Sequence, residues 1–167
     1  MYLLGLDQLK VAEFTAVEAA HTVDTAAVAA GDTALAGTVR TAGLGEAATV
    51  RYFRPVPELA TANGPVDVRS TVLRFSSASA AHNVYAGMAR HTDAVPSMVP
   101  ESAGVLGDEA HGDVVETLSP AGVHLVEATV TWRVANLVSV LVVRGRSGGT
   151  GLGDALILAH AQAVGER

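Results

Sequence analysis

The sequence predicts an α+β fold: a twisted antiparallel sheet of about five strands with helices packed on one face. Three observations point there. Two runs of alternating apolar residues, 123–134 and 137–144, are separated only by Ala135-Asn136, the length of a two-residue hairpin loop. A second pair of runs, 47–54 and 66–76, also alternates with period two. One helical stretch follows each pair, so the strand-helix-strand alternation of a parallel sheet is missing.

The chain opens with Leu3, Leu4, Leu6 and Leu9, which pack inward around a short turn that Asp7 is placed to cap. Thr15 and Glu18 then have the spacing of a capping box, and the Ala-rich run after them predicts a helix over 15–30, ended by Gly31. In the first strand Thr49, Arg51 and Phe53 alternate with Ala48, Val50 and Tyr52, until Pro55 and Pro57 stop the ladder. Asn63-Gly64-Pro65 is a turn, and Val66, Val68, Thr71, Val72 and Phe75 mark the next strand. Ser77 or Ser79 caps a helix running to about residue 91, with an inward stripe of Ala81, Val84, Tyr85 and Met88. A proline-punctuated link over 96–100 leads to a strand over 109–117 and the turn Ser119-Pro120-Ala121-Gly122. After the hairpin, a glycine-rich loop over 145–153 opens a last helix with Leu152, Leu156, Ala159 and Ala163 on one face. Arg51, Arg69 and Arg74 are expected on the sheet face away from the helices.

Length and composition bound the function. At 167 residues the chain has the size of a single domain, 1–167, and 49% hydrophobic against 17% charged residues argues against disorder. The halves 43–91 and 105–165 resemble each other, with Leu44-Gly45-Glu46-Ala47 echoed by Leu106-Gly107-Asp108-Glu109-Ala110. Internal duplication into two ββα-like halves and chance recurrence both account for this. A net charge of −6 without clustered arginines excludes general nucleic-acid binding. No apolar run reaches the roughly 18 residues of a transmembrane segment. The absence of cysteine excludes disulfides, thiolate metal sites and cysteine nucleophiles. Met1-Tyr2-Leu3-Leu4 runs into Asp7 and Lys10 without the basic region of a signal peptide, which leaves a cytoplasmic protein or the mature part of an exported one.

No motif assembles a catalytic constellation. Gly145-Arg146-Ser147-Gly148-Gly149 matches G-x-S-x-G, yet the acid and base that should follow Ser147 are reduced to Asp154 and His160 on one helix. The glycines 148–153 fit neither dinucleotide nor P-loop spacing, and Asp154 reads as a helix-start residue. His82 and His91 share a helix but point to opposite sides. His111 and Asp113 share a strand face without the spacing of a metal site. No catalytic, cofactor-binding or metal residue is therefore assigned. Trp132 shares a strand face with Val130, Ala128, Val126 and His124 and reads as core. A pocket lined by Tyr85, Met88 and Trp132 is the ligand-binding alternative.

Val72-Leu73-Arg74-Phe75-Ser76 before an Ala-rich helix resembles a stretch of actinobacterial secreted proteins and lipoproteins with a sensor-like domain. Gly104-Val105-Leu106-Gly107-Asp108-Glu109-Ala110 is similar to their glycine-leucine-glycine-aspartate-glutamate-alanine element. Trp132-Arg133-Val134-Ala135-Asn136-Leu137-Val138 resembles their hairpin, with Ala135 where glycine is usual. Residues 154–162 resemble their closing helix, and Leu3-Leu4-Gly5-Leu6-Asp7-Gln8-Leu9 the start of their mature domain. The resemblance covers about two-thirds of the chain. It implies an extracytoplasmic, secreted or lipid-anchored module and carries over no catalytic residue. Three functions follow as expectations. The first is a non-enzymatic extracytoplasmic binding or sensor-like module for a small apolar molecule or a protein. The second is a small cytoplasmic enzyme using His82, His111 or His124 as acid or base. The third is a structural or dimerisation module, with monomer and homodimer both open.

Overall fold

The computed structural model describes residues 3–9, 13–29, 33–94, 98–101 and 105–166. The class is α+β with an antiparallel sheet. Among the described residues seven strands form it: β1 (Thr15–Thr22), β2 (Leu44–Phe53), β3 (Asp67–Phe75), β4 (Met98–Glu101), β5 (Glu109–Leu118), β6 (His124–Val134) and β7 (Leu137–Arg146). Their order is β1-β2-β3-β7-β6-β5-β4, every neighbour antiparallel. The helices are α1 (Thr25–Ala29), α2 (Thr33–Thr41), α3 (Ala78–Ala94) and α4 (Leu152–Glu166).

The strand count exceeds five because of the two edges. Residues 15–22 form β1 where the sequence predicts a helix. Thr15 does not act as a cap; its hydroxyl donates to the Phe53 carbonyl across the ladder. The expected stop at Gly31 lies outside the described residues. The other edge, β4, falls within the proline-punctuated link and pairs with β5 from Met98↔Val115 to Glu101↔Gly112. Pro100 is tolerated there because an edge strand needs its N–H on one side only.

The helices are divided between the two faces instead of sharing one. Val50, Tyr52, Val68, Ala128, Val130, Trp132, Leu141 and Val143 project to one face and pack against Leu152, Ala155, Leu158, Ala159 and Ala163 of α4. Leu4, Leu9 and Phe14 close this core, whereas Leu6 is exposed. Ser70 ties the layers together: buried, it accepts from the Leu4 N–H at 3.2 Å and donates to Gln162 Oε1 at 2.8 Å. Tyr52 donates its hydroxyl to the Leu4 carbonyl, and burial, with Asp7 nearby, pushes its pKa up. The alternate residues Ala47, Leu73, Phe75 and Val138 pack on the opposite face against Val39 of α2 and Ala81 and Val84 of α3. The half over 43–91 holds β2, β3 and α3, whereas the half over 105–165 holds three strands, β5, β6 and β7, before α4, and the two helices go to opposite faces.

Local signals set the helix ends. Ser77 Oγ accepts from the Ala80 N–H at 3.1 Å, the expected cap of α3. Asp154 reaches back to the Gly151 N–H at 3.0 Å and so closes the start of α4. At the β6–β7 hairpin the positive φ falls on Ala135, at 51°, rather than on Asn136. The asparagine instead braces the neighbouring strand end. Its Nδ2 donates to the Phe75 carbonyl at 2.7 Å, and its carbonyl accepts from the Phe75 N–H.

Candidate functional site

The strand register determines what the second face presents beyond α2 and α3. One row of opposed residues runs Phe53, Asp67, Arg144, Glu127, Val115 across β2, β3, β7, β6 and β5. The next row is Arg51, Arg69, Val142, Thr129, Asp113, and the third is Thr49, Thr71, Val140, Thr131, His111. Phe53, Arg69, Thr117 and Arg144 are exposed, so this stretch of sheet is uncovered. Arg51 and Arg69 stand on it as expected. Arg74 does not; by strand alternation it belongs to the α4 face, where it pairs with Glu46.

Among the described residues, two recesses indent the open face. The first has a volume of about 530 Å³ and is lined mainly by apolar groups, among them Phe53, Leu59, Val66, Val115 and Leu125. Asp67, Glu127 and Arg144 also line it, and Arg144 and Glu127 are paired with each other. The second, of about 360 Å³, lies one side-chain row further along, where Arg69 and Val142 replace Asp67 and Arg144. Between them Arg51 is clamped, its Nε 3.0 Å from Asp67 Oδ1 and its Nη1 3.4 Å from Glu18 Oε1. The hydrogen bond to Asp67, more than the opposing cost of burial, raises the arginine's pKa further.

The structure does not bring Tyr85, Met88 and Trp132 together. Trp132 is fully buried in the core beneath α4, while Tyr85 and Met88 pack in the core of the other face. Only Met88 borders a recess, the second one. Sequence alternation places Trp132 inward correctly, but which side of the sheet α3 crosses is not encoded in either element's own period.

The candidate histidines His82, His111 and His124 line neither of these two recesses. His82 on α3 lies 2.8 Å from Glu109 Oε1, and Glu109 also accepts from Arg133 Nε. Burial pushes Glu109 up, but the hydrogen bonds from His82 and Arg133 outweigh it and hold its carboxyl below the ordinary value. Tyr85 is pushed up by burial, with Glu109 adding and Arg133 opposing. His111 leaves Nε2 buried without a hydrogen-bond partner, and His124 is exposed at the start of β6. The side chain of His91 lies outside the description.

The glycine-rich loop is structural. Arg146 Nε donates to the Ala62 carbonyl at 3.0 Å, and the Gly64 N–H donates to the Gly149 carbonyl at 2.7 Å. Ser147 donates its hydroxyl to Glu116 rather than to a histidine. Among the described residues, no group of three or more His, Asp or Glu side chains is placed to hold a metal ion. The recess residues were missed in sequence because Leu59, Val115 and Leu125 are far apart in the chain and ordinary in type. Their only signal is the register that aligns them.

Fold and site thus define an α+β fold whose sheet is open and recessed on the part of one face that α2 and α3 leave uncovered. No family model matches the chain, and no curated protein does. Among solved structures, the extracellular domain of PknH from Mycobacterium tuberculosis matches with a TM-score of 0.62 at 10% identity, over 98% of this chain and 93% of that one. At that identity the likeness is one of fold. No helix among the described residues is long and apolar enough to cross a membrane.

Proposed function

We propose that this chain is a non-enzymatic, extracytoplasmic, sensor-like module that takes a small, largely apolar molecule on its open sheet face. The observation that carries the binding role is the apolar recess of about 530 Å³ between Phe53, Leu59, Val115 and Leu125. That volume falls within the range of small-molecule sites, and its few charged groups are already paired. The extracytoplasmic assignment draws support from the fold shared with the extracellular domain of PknH. It agrees with the resemblance to secreted and lipid-anchored actinobacterial sensor-like proteins. Binding is favoured over chemistry because His82, His111 and His124 stand apart from the recesses and Ser147 faces a carboxylate.

The uncharged dye N-phenyl-1-naphthylamine tests the binding role. Its fluorescence should rise on mixing with the native protein, and Leu125→Asp should abolish the rise while leaving the far-UV circular dichroism unchanged. No rise, or a rise that Leu125→Asp leaves intact, refutes the recess as the site. Fractionation of source cells with an antibody tests the location, and a purely cytoplasmic signal overturns it.

A further inference from the structure

The second recess differs from the first in its charge. Arg69 stands directly opposite Arg51 on the open face, an arrangement of like charges that destabilises a sheet. Arg51 is compensated by Asp67 and Glu18, and Arg144 by Glu127. The exposed side chain of Arg69 beside them makes neither an ion pair nor a hydrogen bond among the described residues. It borders the recess of about 360 Å³ whose apolar walls include Val28, Leu73, Met88, Val140 and Val142. A free guanidinium beside an apolar wall matches a molecule that is anionic at one end and apolar along the rest. The planar fork can grip two oxygens of a carboxylate or phosphate at once.

Resting on the reading that the open face takes small molecules, we propose that this recess binds an amphiphile with a single anionic head. The head pairs with Arg69, and the apolar body lies against Val140, Val142 and Leu73. Glu18 borders the same recess and disfavours a second negative charge on the ligand, so a monoanion fits better than a dianion. The shared chemistry is a carboxylate or phosphodiester on an alkyl chain, from a free acid or from a lipid in a bilayer.

The test is an NMR titration of the native protein with octanoate and, separately, with 1-octanol. Octanoate should shift the amides of Thr71, Val140 and Val142, and Arg69→Gln should weaken its binding at least tenfold, with partial recovery in Arg69→Lys. The alcohol should bind at least tenfold more weakly than the acid. Co-sedimentation with phosphatidylglycerol vesicles, but not phosphatidylcholine vesicles, in an Arg69-dependent way would assign the head to a bilayer lipid. Octanoate binding that Arg69→Gln leaves unchanged, or alcohol binding as tight as the acid's, overturns the proposal. So does the absence of both octanoate binding and Arg69-dependent vesicle binding. Uptake of the uncharged naphthylamine dye in the same samples separates this failure from failure of the broader binding role.

Discussion

Replacing Ala135 by glycine should stabilise the protein. Ala135 is the first residue of the β6–β7 hairpin loop and has a φ of 51°, a region in which an L side chain costs roughly 1–2 kcal/mol. Glycine removes that cost but adds about 0.5–1 kcal/mol of backbone entropy lost on folding. The midpoints give a net gain of about 0.75 kcal/mol, within a range of about 0–1.5 kcal/mol. Nothing else should change. The Ala135 N–H donates to Asp108 Oδ2 at 2.8 Å and its carbonyl accepts from Arg133 at 2.8 Å, and neither bond uses Cβ. The side chain is exposed, so no core contact is lost. For a chain of this size the gain corresponds to a rise in melting temperature of roughly 1–4 °C, measurable by thermal circular dichroism alongside urea unfolding with unchanged slope. Asn136→Ala should move the other way by about 1 kcal/mol, since it removes the bond to the Phe75 carbonyl. A melting temperature for Ala135→Gly equal to or below that of the native protein would refute the strain argument.

Ser70→Ala should destabilise by about 2–4 kcal/mol, because it leaves the Leu4 N–H without its partner and removes a buried bond to Gln162; a loss under about 1 kcal/mol in urea unfolding would count against it. Gly107→Ala should cost about 2–3 kcal/mol, since φ is +68° and a Cβ there would collide with the Arg133 carbonyl and crowd Val134 Cγ2 at 3.0 Å. Glu109 has a lowered pKa in the folded state, so its contribution is complete above the unfolded carboxylate value of about 4.3 and is lost as pH falls through the folded value. Urea unfolding between neutral and acidic pH should show a steeper acid decline for the native protein than for Glu109→Gln; parallel curves would exclude this group. Arg69→Gln should leave stability unchanged or raise it by about 0.2–1 kcal/mol through relief of the opposition to Arg51, and a clear loss would show that Arg69 is structural.

Much of the sheet is legible in the chain itself. Strands β2, β3, β6 and β7 alternate because one of their faces is more deeply buried than the other, and period two records that difference. The serine before α3 and the aspartate inside α4 announce their helices through bonds to nearby backbone N–H groups, which are local and therefore visible in sequence. Strand β1 is different. Nearly every residue from Thr15 to Thr22 is exposed, so no alternation is imposed, and its alanines with Thr15 and Glu18 suggest a helix start instead. Pairing with β2 overrides that local preference, and the ladder shifts twice to fit. The same limit hides the candidate site. Arg51 and Arg69 can be read as surface residues from their own strands, but that they face each other, and that only one of them is compensated, depends on register. Trp132 and Tyr85 each declare an inward face, yet α3 and α4 cross on opposite sides of the sheet and place them in separate cores. Periodicity records whether a side chain is buried; it does not record against what, because that contact is made with residues far away in the chain.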